Sequence, residues 1–489
     1  MRKTCVRELK PYSLIGIARI LDVDVDRARM VIEHLMARGI VRYRDAGIAD
    51  GMDASDGKDT ISDELYQFSF VGMAMLGDII IVSYPKYFRD RMPNDVELRQ
   101  LFRVLRKDAG TASLSSMAKN GERSADRLPI MLTLLDLYTE YGVYSNYVEG
   151  RELNGGGVID WNRTIGNHLP LLTDGEPIYA EYESRKTLRD EADFITRLHR
   201  AVLTECSREL ETTGVADLLS IDGVWLSDEE VDSFGDTEML GWRLERERGV
   251  QFVDWKVSVL ELLERYLLDR ESETEITEVK ALGTTSFYHL WEKACKVAFG
   301  DRLGMRLDAL GIPLMGKWMV REHETLLDII PRPKWERWNG KEFTDCGDVD
   351  TLIPDTVTFT GLKGGDKALC IYDAKYYVPS ASGKMKGQPE LESVTKQFLY
   401  QAAYRDFVLD HGFERVVNAF LVPSCDGGLR KMARVSFPEV MGTVELPFSN
   451  YVDMWALPAE DIFEAYLNST EICDKRYEAL WMMTSSKKE

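Results

Sequence analysis

Asp373-Ala374-Lys375 ends the apolar run Leu369-Cys-Ile-Tyr, so an acid and a lysine stand two residues apart at the end of a predicted strand. Side chains alternate along a strand, and the two charged groups therefore share one face. A second strand-like run, Thr356-Val-Thr-Phe-Thr360, follows Pro354-Asp355. Between the runs lies Gly361-Leu-Lys-Gly-Gly-Asp366, which reads as a hairpin turn. Pairing the two runs brings Asp355 beside Asp373 and Lys375. Two carboxylates and a lysine are enough to hold Mg²⁺, with Mn²⁺ as the alternative ion, and to hydrolyse a phosphodiester. The backbone carbonyl of Ala374 is a further oxygen ligand in this reading.

Helices on either side of these strands offer two more groups. Ser286 to Phe299 carries an apolar stripe of Phe287, Leu290, Trp291, Ala294, Val297 and Ala298, and Glu292 sits at its edge. Packed on the sheet, that helix could aim Glu292 at the acids; a solvated glutamate is the plain alternative. Glu392 to Leu409 reads as a second helix, with Gln397, Tyr400, Gln401 and Tyr404 on one face. Either this stripe lines the site, with Gln397 orienting water or phosphate, or it is a half-exposed amphipathic face. Asp348 and Asp350 compete with Asp355 as ligands, and Asp355 is preferred for its place beside the strand. Lys363, Lys384 and Lys386 are loop lysines, with ordinary solvation weighed against contact to a nucleic-acid backbone.

The elements that must position these groups are preceded by a different kind of sequence. Ser13–Leu21 and Arg27–Arg38 are amphipathic helices, Gly39 stops the second, and Ile40–Arg44 could begin a β wing. This resembles a winged helix-turn-helix with Arg27 and Arg29 near the start of its second helix. Asp22, Asp24 and Asp26 beside that helix disfavour phosphate, and a docking module is the competing reading. Residues 46–63 read as a linker, 66–72 and 78–84 as strands, 95–107, 126–141, 188–212 and 251–270 as helices, and 214–250 as weakly patterned. The expected division is a winged-helix-like module over 1–50, a mixed α+β region binding partner or DNA over 64–250, and a nuclease domain over 251–489.

Composition bounds the class. The chain has 489 residues, 44% hydrophobic and 29% charged, which suits a soluble protein of several domains. No apolar stretch approaches membrane-spanning length, and the first residues lack the apolar core of a signal peptide. Seven scattered cysteines show no zinc spacing and suit a reducing cytoplasm. The net charge of −21 argues against coating nucleic acid by bulk attraction, and fits a subunit brought to DNA by another chain.

The order helix with Glu292, strand with Pro354-Asp355, strand with Asp373-Ala-Lys375, helix with Gln397, then strand Arg415–Val422 resembles the PD-(D/E)XK nuclease superfamily. Asp-Ala-Lys-Tyr-Tyr377 and Val-Thr-Lys-Gln-Phe-Leu-Tyr400 look like the nuclease subunit of LlaJI-type restriction systems, related to McrC. Phe70-Val-Gly72, Tyr84-Pro-Lys-Tyr87 and Ile159–Ile165 look like its N-terminal half. The resemblance implies an α/β chain, α+β overall, with a C-terminal restriction-endonuclease-like core. It implies Mg²⁺-dependent cleavage of double-stranded DNA in anti-phage defence, with Asp355, Asp373, Lys375, Glu292 and Gln397 in the site. It also implies a McrB-like AAA+ GTPase partner, and a homodimer or larger assembly built through that partner. No Walker motif is present in this chain, so any motor is a separate protein. Competing readings are a stand-alone repair nuclease of the same fold and a non-catalytic winged-helix DNA-binding adaptor.

Overall fold

A computed structural model describes residues 2–44, 64–117, 127–173, 176–219, 221–272, 279–348, 351–361, 367–379, 387–437, 439, 447–473 and 475–480. The linker expected at 46–63, most of the glycine turn with Lys363, and the loop with Lys384 and Lys386 lie outside the described residues, as does Asp350. The fold is mixed α/β. It divides into two compact units, residues 2–108 with 282–489, and residues 109–281. These boundaries differ from those read in the sequence. The N-terminal elements belong with the C-terminal half because Arg2–Arg7 pairs in parallel with Ile79–Tyr84 in a sheet that also takes in Val71–Leu76 and Lys280–Thr284. Gly72, at φ 146°, permits the close approach in that sheet: a Cβ there would lie 2.2 Å from the Leu282 carbonyl.

Two helices and a three-stranded antiparallel sheet form where the winged-helix-like module was expected. Leu14–Leu21 is capped by the Ser13 hydroxyl and Val25–Ala37 by the Asp24 carboxylate. Gly39, at φ 69°, ends the second helix, with Gly39 N–H bonded to Met36 O and Ile40 N–H to Leu35 O. Val41–Arg44 pairs with Leu65–Phe68, which also pairs with Pro11–Ser13. The arginines near the start of the second helix make exposed ion pairs within the chain, Arg27 with Asp78 and Arg29 with Glu64.

The run 66–72, read as one strand, is divided between two sheets, with Leu65–Phe68 in the wing and Val71–Leu76 in the larger sheet. In residues 109–281 the long helix is Phe194–Thr212, and Glu183–Arg189 before it is a strand paired with Tyr147–Leu153. The weakly patterned stretch contains the helix Thr237–Arg248, whose charged sequence buries only Leu240 and Leu244. A helix with so narrow an apolar stripe leaves little periodic signal.

The site sits on a five-stranded sheet ordered Thr356–Thr360, Ala368–Ala374, Arg415–Ser424, Tyr451–Pro458, Arg430–Ser436. The first pair is an antiparallel hairpin, the next two pairings are parallel, and the last is antiparallel. The segment expected as one helix from Glu392 to Leu409 is two, Leu391–Ala403 and Arg405–Asp410, with Tyr404 at the joint. Leu369 and Ile371 pack into a core with Val357, Tyr400, Tyr404 and Phe407. Phe420, Val422, Val452 and Met454 form a second core with Val394 and Phe398. Among the described residues no helix is long and apolar enough to cross a membrane.

Candidate active site

The hairpin register sets Thr356 opposite Tyr372, so the preceding Asp355 falls beside Asp373. Asp355 accepts the Ala374 N–H at 3.0 Å, which fixes its carboxyl against the end of the neighbouring strand. Asp373 is buried, and Lys375 Nζ lies 2.8 Å from its Oδ1. The apolar half of the same face, Leu369 and Ile371, is fully buried, so the face passes from oil to charge within one strand. Lys375 is fixed through its backbone as well, its N–H donating to Leu421 O at 2.9 Å. That carbonyl also accepts the indole N–H of the fully buried Trp291 at 3.0 Å, which docks the Phe287–Ala298 helix at the same place.

Electrostatically the two acids compete. Burial, then the hydrogen bond and charge of Asp373, then the charge of Glu292 hold the Asp355 carboxyl well above the usual carboxylate range, with Lys375 opposing. Burial pulls the Lys375 pKa down, but the charge and hydrogen bond of Asp373 and the charge of Asp355 outweigh it and leave the ammonium above its ordinary value. Lys375 is therefore a fixed positive charge at neutral pH.

The other expected residues fall into two groups. Glu292 is near enough to raise the pKa of Asp355, but its carboxylate lies 3.3 Å from His289 Nδ1. Its helix covers the opposite face of the strand, with Phe299 against Tyr372 and Phe287 against Tyr376. Among the described residues no three His, Cys, Asp or Glu side chains converge as a ready cation cluster. Gln397 is fully buried, and among the described residues neither its amide oxygen nor its amide nitrogen has a hydrogen-bond partner. Such an orphaned amide costs about 1–3 kcal/mol unless something completes it. Its stripe mates are structural: Gln401 bonds Asn418 and Ser449, Tyr404 bonds Leu326 O, and Tyr400 bonds Ile353 O. Tyr400 is nevertheless close to the acids, whose charges add to burial in raising its pKa. Of the two competitors to Asp355, Asp348 stands opposite Lys334 at the base of the Lys334–Asp348 hairpin, and Asp350 lies outside the described residues.

Sequence reasoning missed Trp291 as the docking group and Cys295 as the buried thiol that senses Asp355 and Glu292. Trp291 was legible only as one apolar residue among six. The donors are of the oxygen type a hard divalent cation takes: the Asp355 carboxyl, held above its usual range beside Asp373, and the Ala374 carbonyl, which follows Asp373 in sequence.

Comparison with known proteins adds the lineage. The family model described as LlaJI restriction endonuclease matches residues 70–457. A component of the type II restriction enzyme BsuMI, YdjA from Bacillus subtilis (strain 168), is 27% identical over 439 residues, covering 86% of this chain and 85% of that protein. Among solved structures, a half-complex of Thermococcus gammatolerans McrB AAA+ hexamers with bound McrC aligns at 13% identity and a TM-score of 0.34, covering 96% of this chain and 99% of that chain. A second, the McrBC complex of the same organism, aligns at 14% identity and a TM-score of 0.21, covering 56% of this chain and 88% of that one.

Proposed function

The chain belongs to the LlaJI restriction endonuclease family, and from that premise we propose that it is the DNA-cutting subunit of a bacterial restriction system, with a PD-(D/E)XK core as its catalytic domain. The observation that carries this reading is the adjacency of Asp355 and Asp373 at paired strand ends, with Lys375 2.8 Å from Asp373. Balanced buried charge needs no such pair of acids. Asp355, Asp373 and the Ala374 carbonyl would hold Mg²⁺, and Glu292 would join them through water. The cation supplies charge neutralisation at the phosphate and activation of water at neutral pH.

The chain's own residues do the rest. Lys375, kept protonated by its two acidic neighbours, stabilises negative charge as it builds on the scissile phosphate. Gln397 offers a buried donor and acceptor without internal partners, and so can orient the attacking water or a phosphate oxygen. Tyr400 closes the apolar side and keeps bulk water from the acids. Arg27 and Arg29 of the winged-helix-like module pair with Asp78 and Glu64 at exposed positions, where such pairs are weak and leave the module open to partner or DNA. With a net charge of −21 and no Walker motif, the subunit relies on a separate AAA+ GTPase of the McrB type to reach and move along DNA.

The test is cleavage of plasmid DNA with Mg²⁺, with and without the co-encoded AAA+ protein, comparing wild type with Asp373→Ala. Cutting by the wild type alone supports the assignment. Equal cutting by both proteins removes the site, and cutting that needs no partner favours the stand-alone nuclease.

A further inference from the structure

The chain leaving Lys375 enters a buried polar cluster built by the N-terminal elements of the same unit. The Tyr376 hydroxyl donates to Glu8 Oε2. The Lys86 backbone N–H donates to the same carboxylate oxygen at 3.1 Å and also lies 3.2 Å from the Tyr376 hydroxyl oxygen. The Lys86 ammonium stands over the Tyr376 ring, 4.4 Å from its centroid. Glu8 is only 8% exposed. Burial raises its pKa, and Tyr376 and Lys86 oppose that rise only in part. Burial likewise lowers the pKa of Lys86 against the charge of Glu8.

Burying a carboxylate and an ammonium is costly, and a well-packed apolar contact of the same volume serves stability as well or better. A directional arrangement does what an apolar contact cannot: it fixes one geometry. The residue it fixes is next to Lys375. On the other side, Lys375 is held by Leu421 O, which also anchors Trp291. The Tyr376 ring meets Phe287, 5.0 Å away, in the first turn of the helix that carries Trp291 and Glu292. Glu8 ends the strand Arg2–Arg7 and Lys86 follows the strand Ile79–Tyr84, and these strands pair in parallel. One strand pair of the N-terminal sheet thus grips the chain one residue beyond the reactive lysine.

We propose that Glu8, Lys86 and Tyr376 are positioning residues for phosphodiester cleavage, locking the chain after Lys375 so that its ammonium stays on Asp373. The inference rests on the nuclease reading of Asp355, Asp373 and Lys375, and it makes residues 2–88 part of the catalytic apparatus without touching DNA.

The experiment measures kcat and KM for plasmid cleavage with Mg²⁺ and the AAA+ partner in Tyr376→Phe, Glu8→Ala and Glu8→Gln, each normalised to folded protein by circular dichroism. Tyr376→Phe removes only the hydroxyl, and it carries the test if Glu8→Ala does not fold. Tyr376→Phe and Glu8→Ala lower kcat by between about tenfold and a hundredfold, with KM unchanged, as expected for a misplaced reacting group. Glu8→Gln keeps an acceptor for Tyr376 and Lys86 and recovers most of kcat. Unchanged kcat per folded molecule in Tyr376→Phe, or no rescue by Glu8→Gln where Glu8→Ala folds, overturns the proposal. Wild-type cleavage that Asp373→Ala abolishes is the control. Failure of that control overturns the nuclease reading, whereas failure of the variants alone overturns only the positioning role.

Discussion

Arg127 and Lys375 each stand in a cluster of buried or half-buried charge, and the two clusters are balanced differently. Arg127 lies 3.6 Å from Glu205 and 2.9 Å from Glu209. Lys280 bonds Glu209 at 2.7 Å, and Arg270 meets Glu205 at 2.9 Å. Tyr266 stitches the group together, accepting from Arg127 and donating to Glu205. Every acid there faces cations from separate helices or strands, so each carboxylate is matched by positive charge. Around Lys375 the ratio is reversed. Two acids share one lysine, the charge of Glu292 helps raise the pKa of Asp355, and the Gln397 amide has no partner among the described residues. A closed cluster ties elements together. An open one keeps negative potential and idle hydrogen-bonding groups available for a cation and a phosphate.

That contrast can be broken experimentally. Removing an acid from the open cluster should cost activity and little stability: Asp373→Ala lowers cleavage about a thousandfold, roughly 4 kcal/mol of transition-state stabilisation, while the melting temperature holds or rises. Plasmid nicking alongside thermal unfolding reads both. Removing an acid from the closed cluster should do the opposite. Glu209→Ala removes one of the two acids that face Arg127 and the carboxylate that Lys280 bonds, and destabilises residues 109–281 by about 2 kcal/mol, measured by hydrogen exchange across Phe194–Thr212. A Glu209→Ala protein with native exchange would show that this cluster is no staple.

Acid should also act on residues 109–281, through a buried histidine outside the Arg127 cluster. His199 is fully buried, accepts the Tyr144 N–H at 3.0 Å, and has its pKa lowered by burial to about 3. The unfolded chain takes up that proton near the ordinary histidine value of about 6.5, the folded chain only near 3, so stability is full above that upper value and falls as the pH drops between the two. The slope is roughly 1.4 kcal/mol per pH unit for this group. Exchange protection measured at pH 7 and pH 5 should decline less in His199→Gln than in wild type. The smallest effect sharpens the comparison most: Gln397→Met removes the idle amide, and should stabilise the protein by about 1 kcal/mol while slowing cleavage. If Gln397→Met were destabilised and fully active, the orphaned amide would be packing and nothing more.

Legibility followed the range of the cause. Gly39 as a helix stop, the Ser13 and Asp24 caps, and the alternation that puts Asp373 and Lys375 on one face depend on neighbours within a few residues. The hairpin joining Asp355 to Asp373 was legible because both strands flank one short turn. Glu292 was legible as a group on the helix packed on this sheet, but its contact with His289 was not, since a helix's rotation on a sheet depends on packing such as Trp291 against Leu421. The break at Tyr404 was hidden because an apolar stripe runs through it. The arginines of the winged-helix module looked free because Asp78 lies 51 residues from Arg27.

The sequence by itself determined the chemistry: acids and a lysine at strand ends, a glutamine on the next helix, a strongly negative chain without a motor motif. Those follow from residue types and short periodicities, which the backbone reads locally. Only the tertiary structure decided which polar groups were satisfied and which were left open. It closed Gln401 onto Asn418, left Gln397 idle, and brought Glu8 to Tyr376 across 368 residues of chain. Hydrogen bonding and desolvation are settled by what surrounds a group in space, and no local spacing carries that information.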